Sequence, residues 1–196
     1  MSWVREVSMM ITRRVWEILR GVHTHLPAKV VSYDGATNTV SIQPCLMSRR
    51  ADDPDNWTGI ELPVVEDVPV QLLGSGKCLL AVAPQAGSYG TYHVSERCLE
   101  QWITKGGIVD PGSNRAFDLS DGFFIPGVYP TKTDGDNGKL QASVKTDRIE
   151  LRTRAGTAYM AVLDDGTIEI ASPAGDITIN KTTGQVSING NLTVDA

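Results

Sequence analysis

Apolar side chains recur along residues 2–20 at the spacing of an amphipathic helix. Steps of three and four residues place them on one stripe, whereas most charged residues point elsewhere. The stripe consists of Val4, Val7, Ile11, Val15, Ile18 and Leu19. Ser2 can cap this helix and Gly21 can end it. Residues 1–26 are therefore predicted to be a helical segment that docks on its own domain or on a neighbouring subunit, with a membrane surface as the alternative.

Residues 27–130 change to short β-rich runs separated by Gly, Pro and Asp. The runs 29–32 and 39–43 flank Asp34-Gly35, which is a strong signal for a β-hairpin. Further strands are predicted at 64–73 and 78–83, with the glycines between them forming a turn. This pattern indicates a small antiparallel β-barrel of the OB-like kind.

Two polar stretches predict irregular structure. Asp52, Asp53 and Asp55 surround Pro54, which is typical of an exposed loop. Residues 131–141 contain Asp134, Asp136 and Asn137 interspersed with two glycines, so they are predicted to be a linker or an exposed loop.

Polar and apolar residues alternate through residues 142–196, as expected of strands with one buried face. Apolar pairs begin at Ile168, Ile177 and Val186, with a step of 9 residues each time. A fixed repeat of strand and turn indicates a fibrous β-structure or a solenoid.

The tail lacks a second layer that could cover its apolar side chains, so one copy cannot form a core. Three chains wound around one axis would bury these side chains at the centre, pair the strand edges between chains and leave the polar partners facing water. The overall prediction is a mainly β protein with an N-terminal helix, an OB-like barrel and an intertwined trimeric β-helix; a monomeric solenoid is the alternative for the tail. The predicted core of the trimer is Ile149, Leu151, Ile168, Ile170, Ile177, Ile179, Val186, Ile188, Leu192 and Val194.

Composition excludes several classes of function. The formal net charge of −5 argues against nucleic acid as a partner, because binding to phosphates relies on a surplus of Lys and Arg. The three cysteines have no CxxC spacing, so we interpret them as reduced thiols. No apolar run reaches the ~20 residues that span a bilayer, and charges interrupt the N-terminus where a signal peptide would be apolar.

Candidate chemistry is sparse. His23 and His25 have the spacing at which two imidazoles on a strand can share a metal ion, although a surface or packing role also explains them. No arrangement of residues suggests a catalytic site, and we expect no enzyme activity.

Four stretches of residues 27–130 resemble one family. They are residues 64–70 (VVEDVPV), 95–102 (SERCLEQW), 106–107 (GG) and 115–123 (RAFDLSDGF). They are similar to the N-terminal domain of phage baseplate central spike proteins. In that family an OB-like base domain precedes a trimeric β-helix that crosses the host outer membrane when the tail sheath contracts.

The resemblance implies a structural, membrane-piercing homotrimer that is seated on a baseplate hub protein, carried in the virion and assembled in the host cytoplasm. Trp102, Asp118, Asp121 and Phe123 would fix the fold of the base domain or contact the hub, although packing alone would also explain Trp102 and Phe123. The host outer membrane would be a transient partner.

The sequence departs from the family in two features. Its spikes commonly hold an apex iron ion through a C-terminal His-x-His motif, whereas no histidine follows His93 here, so we expect no iron in this chain. Either the sequence continues beyond Ala196 or a separate tip protein binds the end of the rod. Phe117 stands where a histidine is expected.

Two rival functions stay open. A trimeric tail fibre that binds a receptor or carbohydrate would also be rich in β-structure, but it predicts exposed aromatic residues, and Tyr159 is the only aromatic residue after Tyr129. A cell-wall hydrolase fused to a spike would need a cleft with convergent acids.

Overall fold

The computed structural model describes residues 2–53, 56–130 and 142–190. It is mainly β with two helices and divides into two compact units, Met1–Tyr129 and Pro130–Ala196. The elements of the first unit are α1 (Ser2–Arg20), β1 (His25–Asp34), β2 (Thr39–Pro44), β3 (Ser48–Asp53), β4 (Asn56–Ile60), β5 (Val65–Pro69), β6 (Leu73–Ser75), β7 (Cys78–Leu80), β8 (Tyr89–Val94), α2 (Glu100–Lys105) and β9 (Gly122–Pro126).

Five strands of this unit form one curled sheet in the order β5-β2-β1-β8-β9. All neighbours are antiparallel. The two ends of the sheet approach each other at Val70, which forms a parallel bridge with Phe124, and the Gln71 N–H donates to the Phe124 carbonyl at 2.8 Å. The sheet is therefore a curled half-barrel, which agrees in part with the small antiparallel barrel that the sequence predicts.

The concave side of the half-barrel holds the core of the base domain. Its largest fully buried side chains are Tyr92 and Phe124. The Tyr92 hydroxyl donates to the Leu119 carbonyl at 2.7 Å, so the one polar group of this ring pair is satisfied. The other members of the cluster are Leu26, Ala28, Val30, Val40, Ile42, Val65, Val68 and Val70.

Helix α1 and the β1–β2 hairpin form where the sequence predicts them. The helix ends at Arg20, and the following Gly21 N–H donates back to the Ile18 carbonyl at 3.0 Å. In the hairpin, the Asp34 carboxylate accepts hydrogen bonds from the Ala36 N–H and the Thr37 hydroxyl, which holds the turn.

The strand predicted over 64–73 is wrong as a single element. Strand β5 stops at Pro69, which has no N–H to donate, and the next amides turn to other partners across the half-barrel. A separate hairpin, β6–β7, follows it. The loop predicted around Pro54 is also shorter than expected, because Asp53 and Asn56 pair across the β3–β4 hairpin.

The second unit is a five-stranded antiparallel sheet whose strands pair in chain order. The predicted linker, residues 131–141, lies outside the described residues, as does the last predicted strand around Leu192 and Val194. Pairing within one chain differs from the predicted pairing between chains. The strands are β10 (Arg148–Arg152), β11 (Tyr159–Leu163), β12 (Ile168–Ser172), β13 (Gly175–Ile179) and β14 (Val186–Asn189).

Candidate functional site

One face of the tail sheet consists of aliphatic side chains, and we call it the aliphatic face. Cross-strand pairing arranges them in two rows, because residues directly opposite each other point to the same side. The first row is Ile149, Val162, Ile168, Ile179 and Val186. The second row is Leu151, Met160, Ile170, Ile177 and Ile188.

Every side chain of the aliphatic face is exposed in the single chain, from 38% for Ile177 to 84% for Ile149. Monomeric soluble proteins rarely expose a contiguous apolar patch of this kind, and larger ones mark interaction sites. Burying the face would remove a large apolar area from water. Each Å² of apolar surface that is buried stabilises the protein by about 25 cal/mol. The face is therefore the candidate functional site of the tail.

On the reverse face of the same sheet, the chain itself covers part of β10 and β11. The Arg152 guanidinium donates to the Ala142 carbonyl at 2.8 Å, and the Lys145 ammonium lies 5.7 Å from the centre of the Tyr159 ring. Ala161, in the middle of this face, is buried. The segment that precedes β10 thus contacts the polar side of the sheet at β10 and β11, whereas the aliphatic side is bare.

Charged groups on the reverse face are paired. Arg148 Nη1 lies 2.9 Å from Glu169 Oε2, and Arg148 Nε lies 3.0 Å from Asp147 Oδ1. The hydrogen bond from Arg148 lowers the pKa of Asp147, and the same bond raises the pKa of Arg148. Both groups therefore stay ionised at neutral pH.

The polar residues that alternate with apolar ones in the tail are expected to face water, but Glu150 does not. Its side chain is only 9% exposed, and its Oε1 lies 2.9 Å from Arg152 Nε without forming a hydrogen bond. Burial of these charges beside bare aliphatic side chains is the reverse of the usual arrangement in a soluble monomer.

Eight of the ten predicted core residues of the trimer lie on the aliphatic face; Leu192 and Val194 are outside the described residues. Met160 and Val162 complete the face but are absent from the prediction. Their strand, β11, has the sequence YMAVL, in which residues of both faces are apolar, so it has no polar–apolar alternation. The signal available was its run of apolar residues between two glycine-containing turns.

In the base domain, Asp121 joins separate segments. The Arg115 Nε donates to its carboxylate at 2.9 Å, and the Leu99 N–H donates to the same carboxylate at 3.1 Å. Burial acts to raise the pKa of Asp121, but these hydrogen bonds outweigh burial, and the pKa is lowered. The predicted role of Asp121 in the fold is consistent with these contacts.

Asp118 and Phe117 shape the loop before β9. The Asp118 carboxylate accepts hydrogen bonds from the Ser120 hydroxyl and N–H, which lower its pKa. Phe117 has a φ of 54°, which is uncommon for a bulky residue, and its carbonyl accepts the His23 N–H at 3.2 Å. A side chain at position 117 therefore has to tolerate left-handed backbone.

Trp102 and Phe123 line an apolar cleft of about 530 Å³ between α2 and the end of the sheet. Trp102 is 53% exposed, and Ile103 beside it is exposed to a similar degree. Packing in the core therefore does not account for Trp102, whereas Phe123 is half-buried. The full lining is Pro69, Val70, Gln71, Leu99, Trp102, Ile103 and Phe123.

His25, one of the two candidate metal ligands, has another histidine as its neighbour. His25 lies opposite His93 across β1 and β8, with ring centroids 5.5 Å apart, and His93 stacks in turn on Phe123. Within residues 2–53, 56–130 and 142–190, no group of three or more His, Cys, Asp or Glu side chains could hold a metal ion. Over the same residues, no helix has the length and apolarity needed to cross a bilayer.

Comparison with known families connects the half-barrel to phage proteins. A family model described as phage protein Gp138 N-terminal domain matches residues 26–127, which begin at the second residue of β1 and end just after β9. A search of curated proteins found no match. Because the matched stretch covers more than half of the 196 residues, the chain belongs to the phage protein Gp138 N-terminal domain family and is a structural protein of a phage.

Proposed function

We propose that this protein is the central spike of a contractile phage tail. Three copies assemble around one axis, the base domain seats the trimer on the baseplate hub, and the tail is driven mechanically through the host outer membrane. The chain breaks no covalent bond in this process. Membership of a phage structural family supports a place in the phage particle. The bare aliphatic face is the observation that carries the proposal.

Two further copies are the occupants that best fit the aliphatic face. The face repeats the same two aliphatic positions on five successive strands, so it is a uniform strip rather than a pocket for one ligand. Three identical strips that meet on an axis cover one another completely. Closed symmetry of this kind limits the assembly to a fixed number of copies.

The edges of the tail sheet favour the same assembly. Among the described residues, β10 and β14 are the edge strands, and each has one side without a strand partner. Pairing of β10 in one copy with β14 in the next would remove these edges. Five strands spaced by about 4.8 Å would give each sheet a width of roughly 20 Å around the axis.

Such a prism would suit a piercing role. Every strand would be hydrogen-bonded on both sides, and the aliphatic side chains would pack in a dry interior, so bending it would break many interactions at once. Axial force from the tail would then reach a small area of membrane. Stiffness, and not binding to a receptor, is the property that the tail provides.

The base domain would provide the attachment. We interpret its curled five-stranded sheet, closed by a parallel bridge, as a partly open barrel of the OB type. Its apolar cleft presents Trp102 and Ile103 to a partner, and tryptophan is enriched among residues that dominate binding energy. We propose this cleft as the contact with the hub protein.

Mass in solution tests the trimer. Light scattering should give about 64 kDa, three times the chain mass of 21.2 kDa. Replacing Ile177 and Ile179 together with Asp should reduce the mass to that of one chain while the base domain stays folded, because charge would enter the shared interior. Ser187→Asp, on the opposite face of the neighbouring strand, is the control and should stay trimeric. A monomeric wild type, or an unaffected double variant, would contradict the proposal.

Position in the virion separates a spike from a tail fibre. Gold-labelled antibody against this chain should bind at the centre of the baseplate in electron micrographs of purified tails. Labels that instead follow peripheral fibres would support receptor binding and overturn the central position.

A further inference from the structure

Helix α1 is a second apolar surface without a cover. Its apolar side chains from Trp3 to Leu19 are between 40% and 69% exposed. Most of the stability of a helix in a protein comes from tertiary packing of its amphipathic face, and the valines and isoleucines of α1 have only moderate helix propensity. A partner surface is therefore needed to keep α1 folded.

The spacing of its β-branched residues is regular. The steps along the stripe are three, four, four, three and four residues, which is an 11-residue repeat that continues just past the end of the helix. A repeat of 11 residues keeps the stripe almost straight along a helix of about 28 Å. The members of this repeat are Val4, Val7, Ile11, Val15, Ile18 and Val22, so Val22 takes the place of Leu19 of the stripe.

We infer that the α1 helices of three copies pack against one another as a parallel bundle on the axis of the proposed trimer. This inference rests on the proposed function. Any symmetric trimer places equivalent helices around one axis, and tethering raises their effective concentration. Isoleucine at both kinds of core position favours three or four strands over two, and every position of this repeat is valine or isoleucine.

Charges at the border of the stripe are compatible with such contact. Arg14 is the charged residue closest to the stripe, and its guanidinium lies 2.9 Å from the Glu17 carboxylate of the same helix. Arg13 approaches the same carboxylate at 3.3 Å. Each copy therefore brings its own counter-charge, and three like charges do not meet unpaired at the border.

The base domain fixes the C-terminal end of each helix. The His23 N–H donates to the Phe117 carbonyl, and the Val94 N–H donates to the Thr24 carbonyl at 2.7 Å. Only Gly21 and Val22 separate the helix from these anchored residues. Three base domains arranged around an axis would hold three helices at equivalent points, which lowers the entropic cost of bringing them together.

Cysteine cross-linking tests the bundle. Ile11→Cys should give disulfide-linked dimers within the trimer on mild oxidation, because equivalent core positions meet on the axis. Met9→Cys is the matched control: both residues are 58% exposed, but Met9 lies about 200° around the helix from Ile11. We expect at least tenfold less cross-linking from Met9→Cys. Both variants are made with Cys45→Ser and Cys78→Ser, which removes the two exposed native thiols.

Four results would overturn the bundle. Equal cross-linking from positions 9 and 11 would mean random collision. Absence of cross-linking at position 11 in a chain that still has the mass of a trimer would reject the bundle and leave the proposed function standing, whereas a monomeric mass would reject both. Sedimentation of the wild type with phosphatidylglycerol vesicles, together with no cross-linking at position 11, would assign the stripe to a lipid surface.

Circular dichroism gives a second readout, which keeps the bundle testable if a cysteine variant fails to form the helix. Ile11→Asp should lower the helical signal in circular dichroism by most of the α1 contribution, because the bundle that stabilises the helix is lost. Met9→Asp should leave the signal near that of the wild type. Equal signals from the two variants would also contradict the bundle.

Discussion

Asp121 links three parts of the base domain through one carboxyl group and its backbone. Its carboxylate accepts hydrogen bonds from Arg115 and from the Leu99 N–H at the start of α2, and its carbonyl accepts the Ser95 N–H. The side chain is 5% exposed, so these bonds form away from most of the competing water. A buried carboxylate with such partners holds a loop, a helix and a strand in fixed positions.

Replacing Asp121 with Asn should destabilise the base domain by about 2 kcal/mol, because the amide cannot accept both donors as a charged group does. Urea unfolding followed by tryptophan fluorescence measures the loss. Asp67→Asn is the control: Asp67 is exposed and has a φ of 54°, which Asn tolerates as well as Asp does. Equal stability of the two variants would refute this role for Asp121.

The same substitution should change the response to acid. Because the pKa of Asp121 is lowered in the folded state, its stabilising effect is complete above the ordinary pKa near 4 and is lost as the pH falls through the lower folded value. Asp118 has a lowered pKa as well and acts in the same direction. The wild type should therefore lose stability between about pH 5 and pH 3 more steeply than Asp121→Asn does.

At this scale the sequence identifies residues better than it identifies their roles. The block RAFDLSDGF points to Asp118 and Asp121, but the partners Leu99 and Ser95 lie more than 20 residues away and become neighbours only through the fold. Trp102 could not be placed from its neighbours in sequence, because whether an aromatic residue of a short helix is covered depends on the sheet beside it.

At the scale of elements, Gly90 allows β8 and β9 to pack closely. A Cβ at this position would come within 2.4 Å of the Phe124 ring and 2.3 Å of the Ile125 carbonyl. The glycine is therefore needed for the space it leaves beside a fully buried ring.

Gly90→Ala should destabilise the base domain by about 1–3 kcal/mol, since both the ring and the backbone would have to move. Gly35→Ala is the matched control, because the nearest atom to its added Cβ is 3.6 Å away, on the Tyr33 side chain. Thermal unfolding of both variants gives the comparison, and a fully stable Gly90→Ala would show that the sheet can relax at little cost.

Elements with strong periodicity are the ones that the sequence predicts well. Helix α1, the β1–β2 hairpin and the repeating aliphatic positions of β12, β13 and β14 all follow from spacing alone. Strand β11 and helix α2 do not, because β11 has apolar residues on both faces and α2 has only 6 residues. Order of pairing in the half-barrel also depends on contacts between distant strands, which local patterns do not encode.

At the scale of the whole molecule, assembly should make stability depend on concentration. Unfolding that is coupled to separation of three copies moves to higher temperature as the protein is concentrated. Calorimetry at two concentrations tenfold apart should show this shift for the tail. The Ile177→Asp and Ile179→Asp double variant, which should be monomeric, is expected to lose it; an unchanged midpoint in the wild type would argue against coupled assembly.

The charges of the chain are distributed in keeping with this scheme. Residues 2–20 carry four arginines and two glutamates, a surplus of +2 in a chain whose total is −5. The aliphatic face contains no charged residue in either of its rows. Charge therefore does not oppose close approach of three strips, and the surfaces that stay in water provide solubility.

The bare aliphatic face and the unpaired edges of β10 and β14 make a newly synthesised chain prone to aggregation. A β-rich strip without charge, flanked by unpaired backbone groups, can pair with any similar segment nearby, including those of partly folded copies. If the proposed trimer forms, productive encounter of three chains competes with precipitation from the moment of translation. The yield of soluble protein is then a matter of kinetics, and slow expression at low temperature favours the correct complex over inclusion bodies.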